Sequence, residues 1–258
     1  MSKSVMRIRA SAVAPVAVLA LIAWAAPTFA QAPAAAPPPP PPGWTGSVGG
    51  GLALTSGNSD TSTTNVGYDV LKDHGTNVIF KSTGLLLKGS NNGVSNVDRS
   101  QADARVGYTL SPRLSAFGQT TFARDNFKAI DYILAPTGGL SYKVVNTART
   151  EWLTDGSVGV VFEKNKGLDV DTSGAIIAGE KLTHKFAERT KFVHAATALW
   201  KMKDFDDAFY TLSAGLLTSI AGNFDLKTEF LSTYKNKLTN PALKKADQSI
   251  VLSVVYKY

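Results

Sequence analysis

The last twelve residues of this chain, 247–258, alternate in polarity to the final position. Ile250, Leu252, Val254, Tyr256 and Tyr258 fall on one parity and Ser249, Ser253 and Lys257 on the other. A period of two in the side chains describes a strand whose two faces lie in different environments along its whole length. The same pattern recurs upstream. In 224–236, Phe224, Leu226, Phe230 and Tyr234 oppose Asp225, Lys227, Glu229 and Lys235. In 151–164, Trp152, Val158, Val160 and Phe162 oppose Asp155, Ser157 and Glu163, and in 97–110, Ala102, Ala104, Val106, Tyr108 and Leu110 oppose Gln101, Asp103, Arg105 and Thr109. Charges at every second position do not fit a compact soluble core, where each would need a partner, but they can line a wet lumen.

From Trp44 onward no helical period interrupts this pattern. Clusters of Gly, Asn, Asp, Ser or Pro divide it into twelve candidate strands: 44–55, 61–72, 77–88, 97–110, 114–125, 132–145, 151–164, 170–183, 189–203, 207–219, 224–236 and 247–258. The even number fits an all-β fold, a closed antiparallel transmembrane barrel of twelve strands. Mean hydropathy is −0.02, which excludes a multi-span helical membrane protein but fits a soluble protein equally well. Three places depart from the pattern. Residues 77–88 are apolar on both faces, 170–183 is blurred, and Pro136 lacks a ladder donor, so a bulge or an early strand end is expected there.

Connections after even-numbered strands look tight, as at 73–75 and 111–113, while 89–96 and 237–246 are longer. Short turns belong to the periplasm and long loops to the outside, so both termini are expected in the periplasm of an outer-membrane protein. Aromatics agree with this placement. Trp44, Tyr108, Trp152 and Tyr256 fall near one set of strand ends, and Tyr132, Phe162, Trp200 and Tyr234 near the other. Such rings prefer the headgroup level of a bilayer.

The N-terminus reads as a targeting segment. Lys3, Arg7 and Arg9 precede an apolar run over 10–26, and Thr28 and Ala30 are small, so a signal peptide over 1–30 is expected. Residues 31–43 form a Pro/Ala-rich linker with six consecutive prolines from Pro37 to Pro42, and 44–258 form the barrel. The chain carries 27 Lys+Arg against 20 Asp+Glu; removal of the three N-terminal cations leaves 24 − 20 = +4. The basic balance is therefore partly a targeting feature and does not indicate nucleic-acid binding.

The opening Trp44-Thr45-Gly46-Ser47-Val48-Gly49-Gly50-Gly51, followed by Gly57-Asn58-Ser59-Asp60, resembles the start of the YdiY-like proteins. These are described as salt-induced outer-membrane proteins, of domain-of-unknown-function family 481. The resemblance covers about 44–258 and implies a location and a fold, with no activity or catalytic residues attached. The end of the chain also resembles the assembly signal of outer-membrane barrels, carried here by Val254, Tyr256 and Tyr258. That implies outer-membrane lipid, lipopolysaccharide and the outer-membrane assembly machinery as partners.

Chemistry is sparse. There is no cysteine, which removes thiol catalysis, and His74, His184 and His194 are scattered. The reading is of a protein that is not an enzyme and holds no cofactor or metal. The inward parity is more informative, with Asp103, Arg105, Asp155, Glu163, Asp225, Lys227 and Glu229 expected to face the lumen. Their signs are mixed, whereas a selective pore tends to present rings of one sign. Two function classes stay open: a small-solute pore, and a structural envelope or osmotic-stress protein with a salt-bridged, nearly closed lumen. Lys235, Lys237, Lys244 and Lys245 form a basic stretch that could meet lipopolysaccharide phosphates.

Overall fold

The computed structural model describes residues 43–258 except 57–60, 74 and 92–93. The expected signal peptide and nearly all of the linker lie outside the described residues, as does His74. Twelve antiparallel strands form one closed circuit. They are β1 (Trp44–Ser56), β2 (Thr61–Asp73), β3 (Val78–Asn91), β4 (Val94–Thr109), β5 (Leu114–Asp125), β6 (Ile130–Asn146), β7 (Thr150–Asn165), β8 (Val170–Lys185), β9 (Thr190–Lys201), β10 (Asp204–Ala221), β11 (Phe224–Lys235) and β12 (Ala246–Lys257). Each pairs with its neighbours in sequence, and β12 closes onto β1. No helix among the described residues is long and apolar enough to cross a membrane, which says nothing about crossing by strands.

The seam shows why the chain opens on glycines and ends on tyrosine. Tyr258 N donates to Gly46 O at 3.0 Å and Gly46 N donates to Tyr258 O at 3.2 Å. A Cβ on Gly46 would lie 2.6 Å from the Tyr258 Oη, and one on Gly51 would lie 2.7 Å from the Ser253 Cα. A side chain at either position would push the first and last strands apart. Because closure leaves no unpaired edge, every strand's backbone is satisfied inside the sheet, as a bilayer requires.

Period two sorts the residues as the alternation predicts. Leu52, Leu54, Val66, Val106, Ile250 and Leu252 are exposed on the outer wall. A continuous apolar exterior of this kind is costly in water and suited to lipid. Trp44, Tyr108, Tyr142 and Tyr258 are exposed near the end that carries the chain termini, here the terminal end. At the opposite, distal end Trp200, Tyr210 and Tyr234 run edge to edge over three strands, and Trp200 Nε1 donates to Tyr210 Oη at 3.2 Å.

Three local expectations are corrected. Pro136 neither ends nor bulges its strand. It pairs with Thr120 of β5, and the β6–β7 ladder simply skips 135 and 136, so the missing donor falls on the β7 side. The register shifts of β6 lie instead near its two ends. Much of the expected 89–96 loop is strand, since β3 runs to Asn91 and β4 starts at Val94. Distal connections are not uniformly long either, because only Met202 and Lys203 separate β9 from β10. His184 lies inside β8.

Candidate functional site

The inward face divides into two zones. The distal zone is dry. Ala53, Leu87, Val97 and Val251 form one buried apolar cluster, and Ile130, Ile133, Ala135, Val161, Ala175 and Leu199 another. Above them, near the distal strand ends, lie buried charges. Lys201 Nζ sits 3.0 Å from Glu163 and 2.7 Å from Asp207. Lys235 Nζ sits 2.8 Å from Glu163 and 2.6 Å from Asp207. The four side chains make a closed square of alternating sign contributed by β7, β9, β10 and β11. Glu163 is 3% exposed, the two lysines 4% each and Asp207 16%, so three corners of the square are buried and Asp207 is partly open to water. Asp171 of β8 adds a contact to Lys201 at 2.9 Å on the wetter rim.

A second buried group crosses the barrel. The β5–β6 connection contains one 3-10 turn, Asn126–Lys128, capped by Asp125, whose carboxylate accepts from Phe127 N and Lys128 N; Ala129 then reverses the chain with φ 55°. The turn aims Lys128 into the lumen. Its ammonium, fully buried, donates to Thr233 O at 3.2 Å and Lys245 O at 3.1 Å and pairs with Asp247 at 3.3 Å. β5–β6 and β11–β12 lie on opposite sides of the circuit, so Lys128 is a bar across the lumen. Arg99 of β4 donates to the Thr233 hydroxyl at 3.3 Å from the same side.

The terminal zone is wet. Arg105 of β4 reaches Asp155 of β7 at 2.7 Å, with its guanidinium stacked 3.5 Å from the Phe117 ring centroid. Asp103, two residues away, does not pair with Arg105. It accepts from Thr121 at 2.6 Å and Gln119 at 3.4 Å instead. Lys227 pairs with Glu229 on its own strand at 2.7 Å, and Asp225 pairs with Lys257 of the next strand at 2.7 Å. Of the seven lumen charges named from the sequence, only Arg105 with Asp155 pair with each other across the interior. Glu163 joins the distal square, and Asp225, Lys227 and Glu229 make contacts along the wall.

Sequence reading expected salt-bridged packing of mixed charges across the lumen but did not single out Lys201, Lys128 or Arg99. Lys201 carries the inward parity of Thr197 and Leu199, which was the available signal. Lys128 lies in a connection, where periodicity carries no information. The basic stretch is also corrected. Lys235 is the last residue of β11 and its ammonium is buried inside the barrel, so it is not available to a lipid phosphate. Lys237 is paired with Asp204, a hydrogen bond that holds its ammonium above the usual lysine range.

Two histidines face outward. His194 Nδ1 contacts Ser213 O at 2.9 Å and Nε2 contacts Glu180 Oε1 at 3.2 Å. A carbonyl oxygen only accepts, so Nδ1 carries a proton. Nε2 faces the Glu180 carboxylate, and Trp152 Nε1 donates to the other Glu180 oxygen at 3.2 Å. These two partners accompany a carboxylate on the outer wall. His184 Nδ1 contacts Thr150 Oγ1 at 2.8 Å at the terminal end. Among the described residues no group of three or more His, Asp or Glu is placed to hold a metal ion.

Comparison with solved structures returns the same architecture. The NanC porin superposes with a TM-score of 0.56 at 11% identity, covering 83% of this chain and 100% of that one. The translocator domain of the autotransporter NalP from Neisseria meningitidis superposes with a TM-score of 0.50 at 11% identity, covering 84% of this chain and 88% of that one. At such identity the likeness concerns the fold, that of a porin-like outer-membrane barrel. No curated protein matches the chain. Residues 48–258 match the family described as "Protein of unknown function, DUF481", and the chain belongs to that family.

Proposed function

We propose that this protein is an outer-membrane barrel with a closed resting lumen, serving as a structural envelope protein rather than an open pore. One observation carries the reading: the square of Glu163, Lys201, Asp207 and Lys235, with Lys128 beside it, occupies the distal lumen with charged side chains that are buried except for a partly exposed Asp207. An open pore would leave such charges hydrated, because burying them costs several kcal/mol each unless partners surround them. In this reading the terminal end faces the periplasm and the distal end the outside. Both termini are then periplasmic, and the Pro/Ala segment is a spacer below the membrane. The apolar wall meets lipid and the distal rim meets lipopolysaccharide. Val254, Tyr256 and Tyr258, on the outward face of the closing strand, present the signal to the assembly machinery. Purified protein in planar bilayers is expected to show no reproducible conductance steps. Regular steps of one size in the unaltered protein would overturn the proposal.

A small-solute pore is the second reading, favoured by the accessible terminal half of the lumen. It requires the seal formed by the distal square and the Lys128 bar to open.

A further inference from the structure

Within the distal seal, the four members of the square stand on strands, whereas Lys128 is carried by a connection. The ladder is irregular on both flanks of its 3-10 turn. The β5–β6 register shifts between Ala123 and Asp125, and the β6–β7 register shifts between Ile130 and Tyr132. Ala129 follows the turn at φ 55°, in the left-handed region that an alanine side chain disfavours. Two side chains hold the turn inside the lumen. Phe127 packs against the cluster of Ala53, Leu87, Val97 and Val251, and the Lys128 ammonium reaches β11 and β12.

The ammonium sits in a socket of oxygen atoms. Thr233 O and Thr233 Oγ1 each lie 3.2 Å from it, Lys245 O 3.1 Å and Asp247 Oδ2 3.3 Å. A lysine ammonium has three hydrogens, so these four oxygens exceed what it can satisfy at once. The socket belongs to the wall and not to the turn: Thr233 is opposite Asp247 in the β11–β12 ladder, and Lys245 immediately precedes β12. The local charge balance also requires a cation. Arg99 is opposite Asp125 in the β4–β5 ladder and donates to the Thr233 hydroxyl at 3.3 Å. Lys128 and Arg99 thus balance Asp125 and Asp247, and withdrawal of Lys128 leaves two carboxylates and one guanidinium among these four. Buried charge persists only with partners around it, so the vacated socket takes a cation.

We propose that the β5–β6 turn is a lid over a cation site, in which the Lys128 ammonium is the built-in occupant and a free monovalent cation of ammonium size is the alternative one. A free ammonium ion, with four hydrogens, matches all four oxygens. The two occupants compete. Tethering gives Lys128 a high effective concentration, so the free cation gains the socket only as its own concentration rises. The turn then withdraws from the lumen while Asp247 keeps a cationic partner. The lid rests on the closed-lumen reading, because it is part of that seal.

The test uses the full barrel in detergent micelles at constant ionic strength, with ammonium chloride exchanged for tetramethylammonium chloride, whose cation is bulky and has no hydrogen to donate. Lys128→Met removes the built-in occupant. Its urea unfolding midpoint is expected to rise along a saturating curve with ammonium and to stay flat with tetramethylammonium. Addition of Asp247→Asn is expected to abolish the rise. The chain has no cysteine, so Phe127→Cys with Lys128 intact supplies a single thiol on the lid. Its modification by a membrane-impermeant reagent is expected to quicken several-fold as ammonium replaces tetramethylammonium. Heat-modifiable gel migration establishes that each variant is a folded barrel, and the thiol carries the test if Lys128→Met does not fold. Equal midpoints in the two salts, or a rise that survives Asp247→Asn, would overturn the site, and a labelling rate indifferent to the cation would overturn the lid. Conductance plays no part in these readouts. Steps in the unaltered protein would overturn the closed lumen and leave the cation result standing, whereas a silent barrel with no preference between the cations would overturn the cation site alone.

Discussion

At the distal end of the lumen Lys201 and Lys235 are each 4% exposed and share two carboxylates, whereas near the terminal end Lys81 and Lys257 are 29% and 43% exposed and hold one carboxylate each. The residue types are the same and the physical situations differ. In the distal zone neighbouring apolar clusters exclude water, so each charge depends on its partners for solvation. In the terminal zone water screens the charges and supplies alternative hydrogen bonds, and a pair contributes little. One barrel therefore uses lysines and acids as a seal at one end and as a wet lining at the other. Substitutions that remove one charge from each zone should separate the two uses.

Glu163→Gln is expected to have the largest effect. It leaves two buried ammoniums to share Asp207, with only the half-exposed Asp171 beside Lys201, and breaking a buried pair costs about 3–5 kcal/mol. Urea unfolding followed by heat-modifiable migration should record the loss, and conductance steps should appear in planar bilayers. An unchanged midpoint would mean that the square is hydrated. Lys128→Met comes next. It leaves Asp247 without the bar and removes the buried ammonium that donates to Thr233 and Lys245, a loss of about 2–3 kcal/mol. It should also admit current, and continued silence would show that the square seals the barrel alone. Arg105→Met is smallest, at about 1 kcal/mol, because its pair with Asp155 is a quarter exposed. It should leave conductance at the background of the unaltered protein. If Arg105→Met opened the barrel as far as Glu163→Gln did, the division into two zones would fail.

Most of the strand frame was legible from local chemistry. Period two marked most of the twelve strands, and glycine and polar clusters marked their ends, because a strand between lipid and water must alternate wherever it lies in the sheet. Exceptions arose where a local signal has more than one solution. Pro136 can end a strand, or it can sit where one donor is dispensed with, and the neighbouring β5 ladder holds it in the strand. Leu85, Leu86 and Leu87 hid their alternation by being apolar throughout, since Leu87 packs inside the distal cluster while Leu86 faces out.

The charges show the boundary more sharply. Asp103 and Arg105 are two residues apart on one face and opposite in sign, and the sequence names a partner for neither. Arg105 crosses to Asp155, fifty residues on, and Asp103 is left to hydroxyl and amide donors. Parity states that a side chain faces the lumen. It does not state what stands opposite, because that depends on strand number, tilt and the accumulated stagger of the closed sheet. The sequence by itself determined the alternation, the strand count and the inward and outward assignment, all set by neighbours along the chain or by solvent preference. Only closure of the barrel decided that Lys128 spans it, that Glu163 joins Lys201 and Lys235, and that one half of the lumen is dry. Those contacts link residues that meet only once the wall is complete.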